Sequence, residues 1–546
     1  MEKPSGFTPV DRYLFQLANR PTRPTKTTRL YAEWHEVKAF TRKNIGFGVD
    51  SKNLLVACCQ LDSIKHTNKE VQGMNDKKLL GSQVIKIRSK RKPSLSIRQA
   101  RVAAELARDS GNLLLLQVFD SQTIRRITND LLLGQRVTRD RAFTPEITVG
   151  LFVQQALSER CGCQKIVHEH NTTRKRQGQS QLSSDSSSYC EARLRLPIAL
   201  LTHLLGLTIR LAGSALSDQW LWHERRAILV DGLVTNAPDT PANQEAFPQT
   251  ASQEPGLGFP QVRQLVSICL ATGVVLDVKI GPVVGKKTGE ASLFRQMMPS
   301  FERGDIIVAD SNFECYRDLA ALTKQGVDMV CEKNATRSSP FTGPCTCVED
   351  AIVVLDKPAM NSSRFTPEEY AALPERLRIR IIRLRIGGRK GEITLVTTLT
   401  DQKRYPTEDI AALYKARWNC ELDIRSIKSV LGMGELSCRS PEMLRREIIV
   451  YYLAYNLIRV SMIDAAKIAK CEPRELSFKN AKNAWLSYVQ HFKQDADAFT
   501  WLLSAIATVR VRDRPDRHEP RAVKRRHAKY PRLKIPRNQA KQALQA

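Results

Sequence analysis

Residues Arg226–Asp231, with the sequence RAILVD, form the strand pattern from which the predicted fold follows. It is a short apolar run that ends in a carboxylate, and Asp305–Asp310, with the sequence DIIVAD, repeats the pattern. Such runs are typical of buried strands in a sheet flanked by helices. Because ligands gather at the carboxyl ends of strands in such sheets, Asp231 and Asp310 are candidate site residues. Asp305, at the opposite end of its strand, is a weaker candidate.

Further strand patterns surround these two runs. Gln264–Ile280 predicts a hairpin that turns near Thr272 and Gly273. Two β-rich stretches, Ile379–Ile386 and Glu392–Thr400, flank a glycine-rich loop and predict a second hairpin. Helical patterns precede the first strand and follow the last one, so the sequence predicts an α/β architecture.

A third candidate carboxylate comes from a predicted helix between Thr407, as its N-terminal cap, and Gly432, as its end. At about 100° per residue, five polar side chains share an arc of about 80° on this helix. They are Tyr414, Arg417, Glu421, Arg425 and Lys428. Asp423 points about 200° away from Glu421 and is not the preferred ligand. An ordinary solvated charged face is the alternative explanation of this stripe.

One chemistry for which these residue types are suited is the cleavage or joining of DNA. Two divalent ions about 4 Å apart can neutralise both the attacking and the leaving oxygen of a phosphodiester. Hard cations such as Mg²⁺ prefer oxygen ligands, which Asp231, Asp310 and Glu421 supply. Arginine and lysine neighbours on the same helix face suit contacts with phosphate.

The composition indicates a polyanionic partner. The 546 residues include 85 Lys and Arg against 56 Asp and Glu, which gives a formal net charge of +29. Such a charge favours nucleic-acid binding, and the length predicts about three or four domains. The basic, proline-punctuated segment Arg512–Lys541 is either a disordered tail or an arm that tracks DNA.

Nothing in the sequence predicts export or membrane insertion. Met1–Arg12 has no apolar core of a signal sequence. The most apolar candidate span, Leu196–Leu216, contains a proline, a histidine and an arginine, so we interpret it as an amphipathic helix. We therefore expect a cytoplasmic protein in which the thirteen cysteines are reduced thiols.

Two segments before the first strand contain residue types that could bind zinc or DNA. The residues Cys161, Cys163, His168 and His170 have the right side chains for zinc, but their spacing departs from that of zinc sites, so we favour structural roles. The polar stretch Asn171–Ser188 predicts a loop or linker, for which contact with DNA is the alternative to simple solubility.

The helix that carries Glu421 resembles the YREK signature of a group of bacterial insertion-sequence DDE transposases. Tyr414, Arg417, Glu421 and Lys428 match its spacing. The stretches VDGLVTNAPDTPANQEAFPQ and GDIIVAD look like the first and second aspartate regions of that family. The resemblance extends from about residue 142 to about residue 530.

The resemblance implies an RNase H-like catalytic core with a β-rich insertion and DNA-binding helices before it, and the composition adds a basic tail after it. The expected bounds are an unassigned basic region at 1–141, helices at 142–225, the core at 226–334 and 406–508, the insertion at 335–405 and the tail at 509–546. It implies that Asp231, Asp310 and Glu421 hold two Mg²⁺ or Mn²⁺ ions. It also implies that Tyr414, Arg417 and Lys428 contact the DNA end, and we expect Arg425 to join them.

The expected activity is metal-dependent cleavage at transposon ends followed by transfer of the freed 3′-OH to target DNA, by a homodimer associated with the bacterial nucleoid. Two departures leave alternatives open. Ser311 and Asn312 follow the second aspartate where the family usually has arginine, so an inactive DNA-binding descendant is one alternative. A nuclease that cuts without joining is another. The second departure is that no Trp lies between Trp222 and Trp418 to serve as a base platform. A hairpin step therefore stays open, with Phe341, Phe365 and Tyr370 as the aromatic candidates, and core packing is the favoured role for them.

Overall fold

A mixed sheet of eight strands forms the centre of the described part of the chain, in a computed structural model that describes residues 119, 121–131, 142–158, 161–334, 337–341, 347–361, 365–385, 392–491, 496–511 and 534–545. Most of the region 1–141, including the basic run at 86–92, lies outside these residues, as does 512–533 of the basic tail. The strands are β1 (Ala227–Asn236), β2 (Gln261–Cys269), β3 (Val275–Pro282), β4 (Ile306–Ala309), β5 (Asp328–Glu332), β6 (Glu349–Asp356), β7 (Arg376–Leu384) and β8 (Ile393–Thr397).

The strand order is β3-β2-β1-β4-β5-β8-β7-β6. Strands β1, β4 and β5 are parallel to one another, and every other neighbouring pair is antiparallel. The first five strands of this order have the topology of an RNase H-like core, so the predicted fold class is confirmed. The predicted hairpin at 264–280 is also confirmed, because β2 and β3 turn at Gly273, whose φ of 73° suits glycine.

Strands β6, β7 and β8 lie in the segment expected to be a β-rich insertion. The two predicted runs correspond to β7 and β8, which pair in antiparallel fashion. These strands extend the central sheet, because β8 pairs with β5 from Val330↔Thr397 to Glu332↔Leu395. The segment therefore completes the sheet on the side of the second aspartate.

Helices cover both faces of the sheet and precede it. They are α1 (Ser121–Leu131), α2 (Pro145–Leu157), α3 (Cys163–Arg176), α4 (Ser187–Arg195), α5 (Ile198–Ser214), α6 (Pro241–Ala246), α7 (Glu290–Met297), α8 (Tyr316–Gln325), α9 (Pro367–Ala371), α10 (Thr407–Lys415), α11 (Trp418–Arg425), α12 (Pro441–Ala469), α13 (Phe478–His491), α14 (Ala496–Ala507) and α15 (Arg537–Ala543). Short 3₁₀ turns lie at 218–220, 298–300, 311–313 and 473–475, and a π-helical turn lies at 426–430.

Alternate residues of β1 belong to two hydrophobic clusters on opposite faces of the sheet. Leu229 and Leu233 pack in the larger cluster, which contains much of α12. Ile228 and Val230 pack in the smaller one, with residues of α7 and α8. By the same alternation Asp231 belongs to the face that carries α12, which we call the α12 face.

Helix α12 is long and apolar enough to cross a membrane by composition, but 83% of its most apolar window is buried inside the protein. Ser440 caps its N-terminus by accepting a hydrogen bond from the backbone N–H of Met443. The bent pair α4 and α5 passes the same test only as a unit broken by 75°. The amphipathic helix predicted at 196–216 is confirmed as α5, which buries Leu200 and Leu204 and leaves His203 exposed.

The prediction of a loop at Asn171–Ser188 is wrong at both ends. Helix α3 continues to Arg176, and α4 begins at Ser187. Helix α3 is held to the following chain because Asn171 exchanges hydrogen bonds with Leu182, and Arg174 donates to the Ser180 carbonyl. These buried side chains stabilise a helix whose surface composition resembles that of a loop.

Candidate active site

Asp231 and Asp310 reach the same level of the sheet on neighbouring strands. Leu229 of β1 pairs with Val308 of β4, so two residues further along each strand the two aspartates are adjacent. Both also fall on the α12 face, because Val308, like Leu229, packs in the larger cluster. The sheet therefore brings together the two carboxylates that the sequence singled out.

The prediction that Asp231 ends its strand is wrong. Strand β1 continues to Asn236, because Asp231 and the five residues after it pair with β2. Only the parallel partner stops, since β4 ends at Ala309. Asp231 therefore lies at the point where β1 passes the end of its parallel neighbour.

Asp310 is held by a short turn that follows β4. Its Oδ1 accepts the backbone N–H of Asn312 at 2.9 Å, and its Oδ2 accepts the Asn312 side-chain amide at 3.2 Å. Asn312 thus binds both oxygens of the carboxylate where the resembled family usually has an adjacent arginine. The site has an orienting amide here instead of a cation.

The third carboxylate stands on a segmented helix. Helix α10 ends at Lys415, α11 runs from Trp418 to Arg425, and a π-helical turn covers Ser426–Val430. Gly432 follows with a φ of 89°, which confirms the predicted end. The break and the wider turn change the rotation between residues, so the single arc predicted for the five polar side chains is only partly correct.

The predicted cap at Thr407 is wrong, because Thr407 is the first helical residue and Pro406 precedes it without a side-chain cap. The hydroxyl of Thr407 donates to Asp350 on β6 at 2.9 Å. Arg380, buried on β7, donates to Asp350, to Thr407 and to the carbonyl of Tyr405. Strands β6 and β7 therefore fix the start of α10, the first part of the segmented helix whose second part, α11, carries Glu421.

Glu421 and Asp231 meet at the guanidinium of Arg417. The Arg417 Nη2 lies 3.3 Å from Glu421 Oε1, and its Nη1 lies 3.6 Å from Asp231 Oδ2. Glu421 is 39% exposed and Asp231 is 21% exposed. The structure therefore places the helix acid and the first strand acid around one positive charge.

Asp423 is buried on the other side of α11, as the helical projection predicted. It is 1% exposed. It forms ion pairs with Arg459 of α12 and with Arg474, and it accepts a hydrogen bond from the Tyr455 hydroxyl at 3.0 Å. Asp423 anchors the helix, and Glu421 is left facing the site.

The remaining members of the polar stripe have different environments. Tyr414 is 5% exposed, and its hydroxyl donates to Glu332 at 3.2 Å. Burial and the Glu332 carboxylate raise the pKa of Tyr414 well above its usual range, so it stays a neutral donor. Lys428, on the π-helical turn, donates to the Val234 carbonyl of β1 at 3.1 Å, and Arg425 is exposed.

Glu332 is a carboxylate near the site that the sequence analysis missed. Ala309 of β4 pairs with Cys331 of β5, so Glu332 continues the row formed by Asp231 and Asp310 across three neighbouring strands. The sequence contains a pattern that could have predicted Glu332, because this residue ends the apolar run Met329–Cys331 in the same way that Asp310 ends its own run.

Burial and neighbouring charges shift the pKa values of Asp231 and Arg417. Burial raises the pKa of Asp231 to about 6; the Gly232 N–H and Arg417 oppose the rise, and the charges of Asp310 and Glu421 add to it. Burial lowers the pKa of Arg417, but Tyr414 and the three acids outweigh it, so the pKa is raised overall. Arg417 therefore stays charged and offsets part of the repulsion among the carboxylates.

The donor chemistry of the site fits divalent cations. Three carboxylates from three separate elements offer the hard oxygen ligands that Mg²⁺ and Mn²⁺ prefer. Among the residues that the structure describes, however, no three acidic, histidine or cysteine side chains lie close enough to hold an ion as they stand. The Arg417 guanidinium lies between Asp231 and Glu421, so ion binding requires these side chains to approach one another.

The weaker acid candidate Asp305 and the aromatic candidates for a base platform make contacts within the fold. Asp305 is buried in a bidentate pair with Arg226, with both distances 2.8 Å. Phe365 is 9% exposed and packs edge-on against Tyr370, and Phe341 lies under the guanidinium of Arg383.

The possible zinc ligands lie on and beside α3. Cys161 and Cys163 are both partly buried, and the Cys163 sulfur accepts a hydrogen bond from Arg193 at 2.9 Å. His170 is buried, which lowers its pKa to about 4, and His168 is exposed beside Gln164. The two histidines therefore lie in different environments on the same helix.

Comparison with known proteins gives the following matches. The family model "Transposase DDE domain" matches residues 222–457, a segment that contains Asp231, Asp310 and Glu421. The chain is 26% identical over 355 residues to the transposase InsG for insertion sequence element IS4 of Escherichia coli (strain K12), covering 63% of this chain and 78% of that protein. It is 24% identical over 293 residues to the putative transposase y4zB of Sinorhizobium fredii (strain NBRC 101917 / NGR234), covering 52% and 74%. A solved piggyBac transposase synaptic complex with hairpin DNA matches 72% of this chain and 84% of that chain, with a TM-score of 0.39 and 10% identity.

Proposed function

We propose that Asp231, Asp310 and Glu421 are the catalytic carboxylates of this chain, which belongs to the DDE transposases of insertion sequences. Enzymes of this family act on DNA and depend on divalent metal ions. The observation that carries the assignment is the convergence of Asp231 and Glu421 on Arg417, with Asp310 beside Asp231 across the strand pair.

The three carboxylates would hold two Mg²⁺ or Mn²⁺ ions, which supply a nucleophilic water and neutralise charge on the attacking and leaving oxygens. Asn312 holds the Asp310 carboxylate in one orientation, and Asp423 fixes the helix that presents Glu421. These contacts preorganise the acids, which is the main contribution that a protein makes to phosphoryl transfer.

Basic residues on the catalytic helix are proposed to hold the DNA end. Arg425 is exposed on α11, and the half-buried Lys428 and Arg417 lie on the same segment. We assign Tyr414 to the same DNA-end site; its ring reaches DNA only when its hydrogen bond to Glu332 is released. This set matches the YREK-signature group, to which we assign the chain.

The proposed reaction has two stages. Water first attacks the phosphodiester at the transposon end and releases a 3′-OH; that 3′-OH then attacks a phosphodiester of target DNA in line, which forms one bond and breaks another. Pairing of two ends implies a homodimer on double-stranded DNA. We propose that the dimer acts at the bacterial nucleoid in the cytoplasm.

The test uses the full chain and labelled DNA that carries the element's own terminal sequence, either intact or precleaved. We expect the wild type to nick the intact end and to join the precleaved end to target DNA with Mg²⁺ or Mn²⁺. Asp310→Ala should lose both steps and keep DNA binding. Asp239→Asn, in a surface turn where the carboxylate accepts a hydrogen bond from Gln244, is the control and should keep both.

Each failure has a distinct meaning. Unchanged cleavage by Asp310→Ala refutes the assignment of the carboxylates. Cleavage by the wild type without joining identifies a nuclease of the same fold. DNA binding without metal-dependent cleavage identifies an inactive descendant, for which Ser311 is the sequence signal.

A further inference from the structure

Arg417 contacts the acidic site in a way that differs from the structural arginines of the fold. Arg380 binds Asp350 through two hydrogen bonds of 2.8 and 2.6 Å, and Arg226 binds Asp305 through two of 2.8 Å. Such bidentate pairs fix both partners. Arg417 instead divides its two terminal nitrogens between two acids, at 3.3 and 3.6 Å.

The longer contacts indicate that Arg417 is held by charge more than by hydrogen-bond geometry. At 3.6 Å the contact with Asp231 is an ion pair without a good hydrogen bond. The Arg417 side chain is also 20% exposed. To leave the acids it breaks one long hydrogen bond, to Glu421 at 3.3 Å, and one ion pair, rather than a bidentate pair.

The position of Arg417 conflicts with a bound cation. A guanidinium between Asp231 and Glu421 repels a divalent ion that approaches the same oxygens. A phosphate group of DNA is an alternative partner for arginine, and it offers the bidentate geometry that the two acids do not. The Tyr414 ring, whose centroid is 5.9 Å from the guanidinium carbon, lines the position that Arg417 occupies now.

We propose that Arg417 is an internal counter-ion that weakens divalent-cation binding until a DNA phosphate takes its guanidinium. This inference rests on the proposed function, because it assumes that Asp231 and Glu421 are metal ligands. Its consequence is a positive coupling: DNA tightens metal binding, and by thermodynamic reciprocity metal tightens DNA binding by the same factor. The site is then fully loaded only on DNA.

The experiment is titration calorimetry of the full chain with Mn²⁺, with and without a duplex that carries the terminal sequence. For the wild type we expect the duplex to tighten Mn²⁺ binding about tenfold, a typical size for such coupling. Arg417→Gln should bind Mn²⁺ about tenfold more tightly than the wild type without DNA, and the duplex should add nothing further. Arg404→Gln removes one exposed positive charge elsewhere and should behave like the wild type.

Two more variants separate the possible failures. Arg417→Lys keeps the charge but has one ammonium for two carboxylates, so it should bind Mn²⁺ with intermediate affinity and serves if Arg417→Gln does not fold. Asp231→Asn should lose the Mn²⁺ site. If Asp231→Asn binds Mn²⁺ like the wild type, the proposed function fails. If Asp231→Asn loses binding while Arg417→Gln matches the wild type, only the counter-ion role is overturned.

Discussion

Two acids on one helix, Glu421 and Asp423, provide a matched pair for separating catalysis from stability. Asp423 is 1% exposed and contacts Arg459, Arg474 and the Tyr455 hydroxyl. Asp423→Asn leaves two guanidinium groups without their buried counter-charge, and breaking a buried pair in this way costs about 3–5 kcal/mol. Glu421 is 39% exposed, and within the part of the chain that the structure describes it forms one ion pair, at 3.3 Å with Arg417. Glu421→Gln should therefore change stability by less than about 1 kcal/mol.

The assay is urea unfolding in metal-free buffer, followed by the fluorescence of the tryptophans, one of which, Trp485, is fully buried. Asp423→Asn should lower the unfolding midpoint clearly, whereas Glu421→Gln should leave it close to that of the wild type. In the cleavage assay Glu421→Gln should be inactive although it is folded. The reasoning is refuted if Glu421→Gln destabilises the protein more than Asp423→Asn does, or if it cleaves DNA normally.

Three further predictions test separate parts of the account. Asn312→Ala removes the amide that binds Asp310 and should slow cleavage about 10- to 100-fold at unchanged DNA affinity, as measured in single-turnover assays; unchanged cleavage would show that the turn alone orients Asp310. Gly273→Ala forces a side chain into a φ of 73°, and its Cβ would lie 2.8 Å from the Arg459 guanidinium carbon. It should destabilise the protein by about 1–2 kcal/mol in the same urea assay, and an unchanged midpoint would contradict this. If DNA binding neutralises about six phosphates, the logarithm of the binding constant should fall with that of the salt concentration with a slope near −5; a slope near zero would exclude an electrostatic interface.

Local signals in the sequence were sufficient for the α/β class and for the positions of most strands. The apolar runs before Asp231 and Asp310 became β1 and β4, and the glycine at position 273 marks the turn of the predicted hairpin. These features depend on residues close together in the chain, such as a run of apolar side chains ended by a turn. The resemblance to DDE transposases supplied the RNase H-like topology, which no local pattern contains.

The errors came from contacts between distant segments. Strand β1 extends past Asp231 because β2 pairs with it, and a pattern within β1 cannot show where its partners end. Thr407 was predicted to cap the helix, but its hydroxyl accepts a hydrogen bond from the buried Arg380 and donates one to Asp350. The burial of Tyr414 is not visible in the helix pattern, because its hydroxyl donates to Glu332 on β5, which is distant in the chain.

The claim that Asp231, Asp310 and Glu421 share metal ions can be tested without any measurement of activity. Fe²⁺ bound at the site, with ascorbate and peroxide, generates hydroxyl radicals that cut the protein backbone nearby. We predict three sets of fragments, ending near Asp231, Asp310 and Glu421, which Mg²⁺ suppresses by competition and Asp231→Asn abolishes. Fragments that end near only one of the three acids, or elsewhere in the chain, would contradict the account.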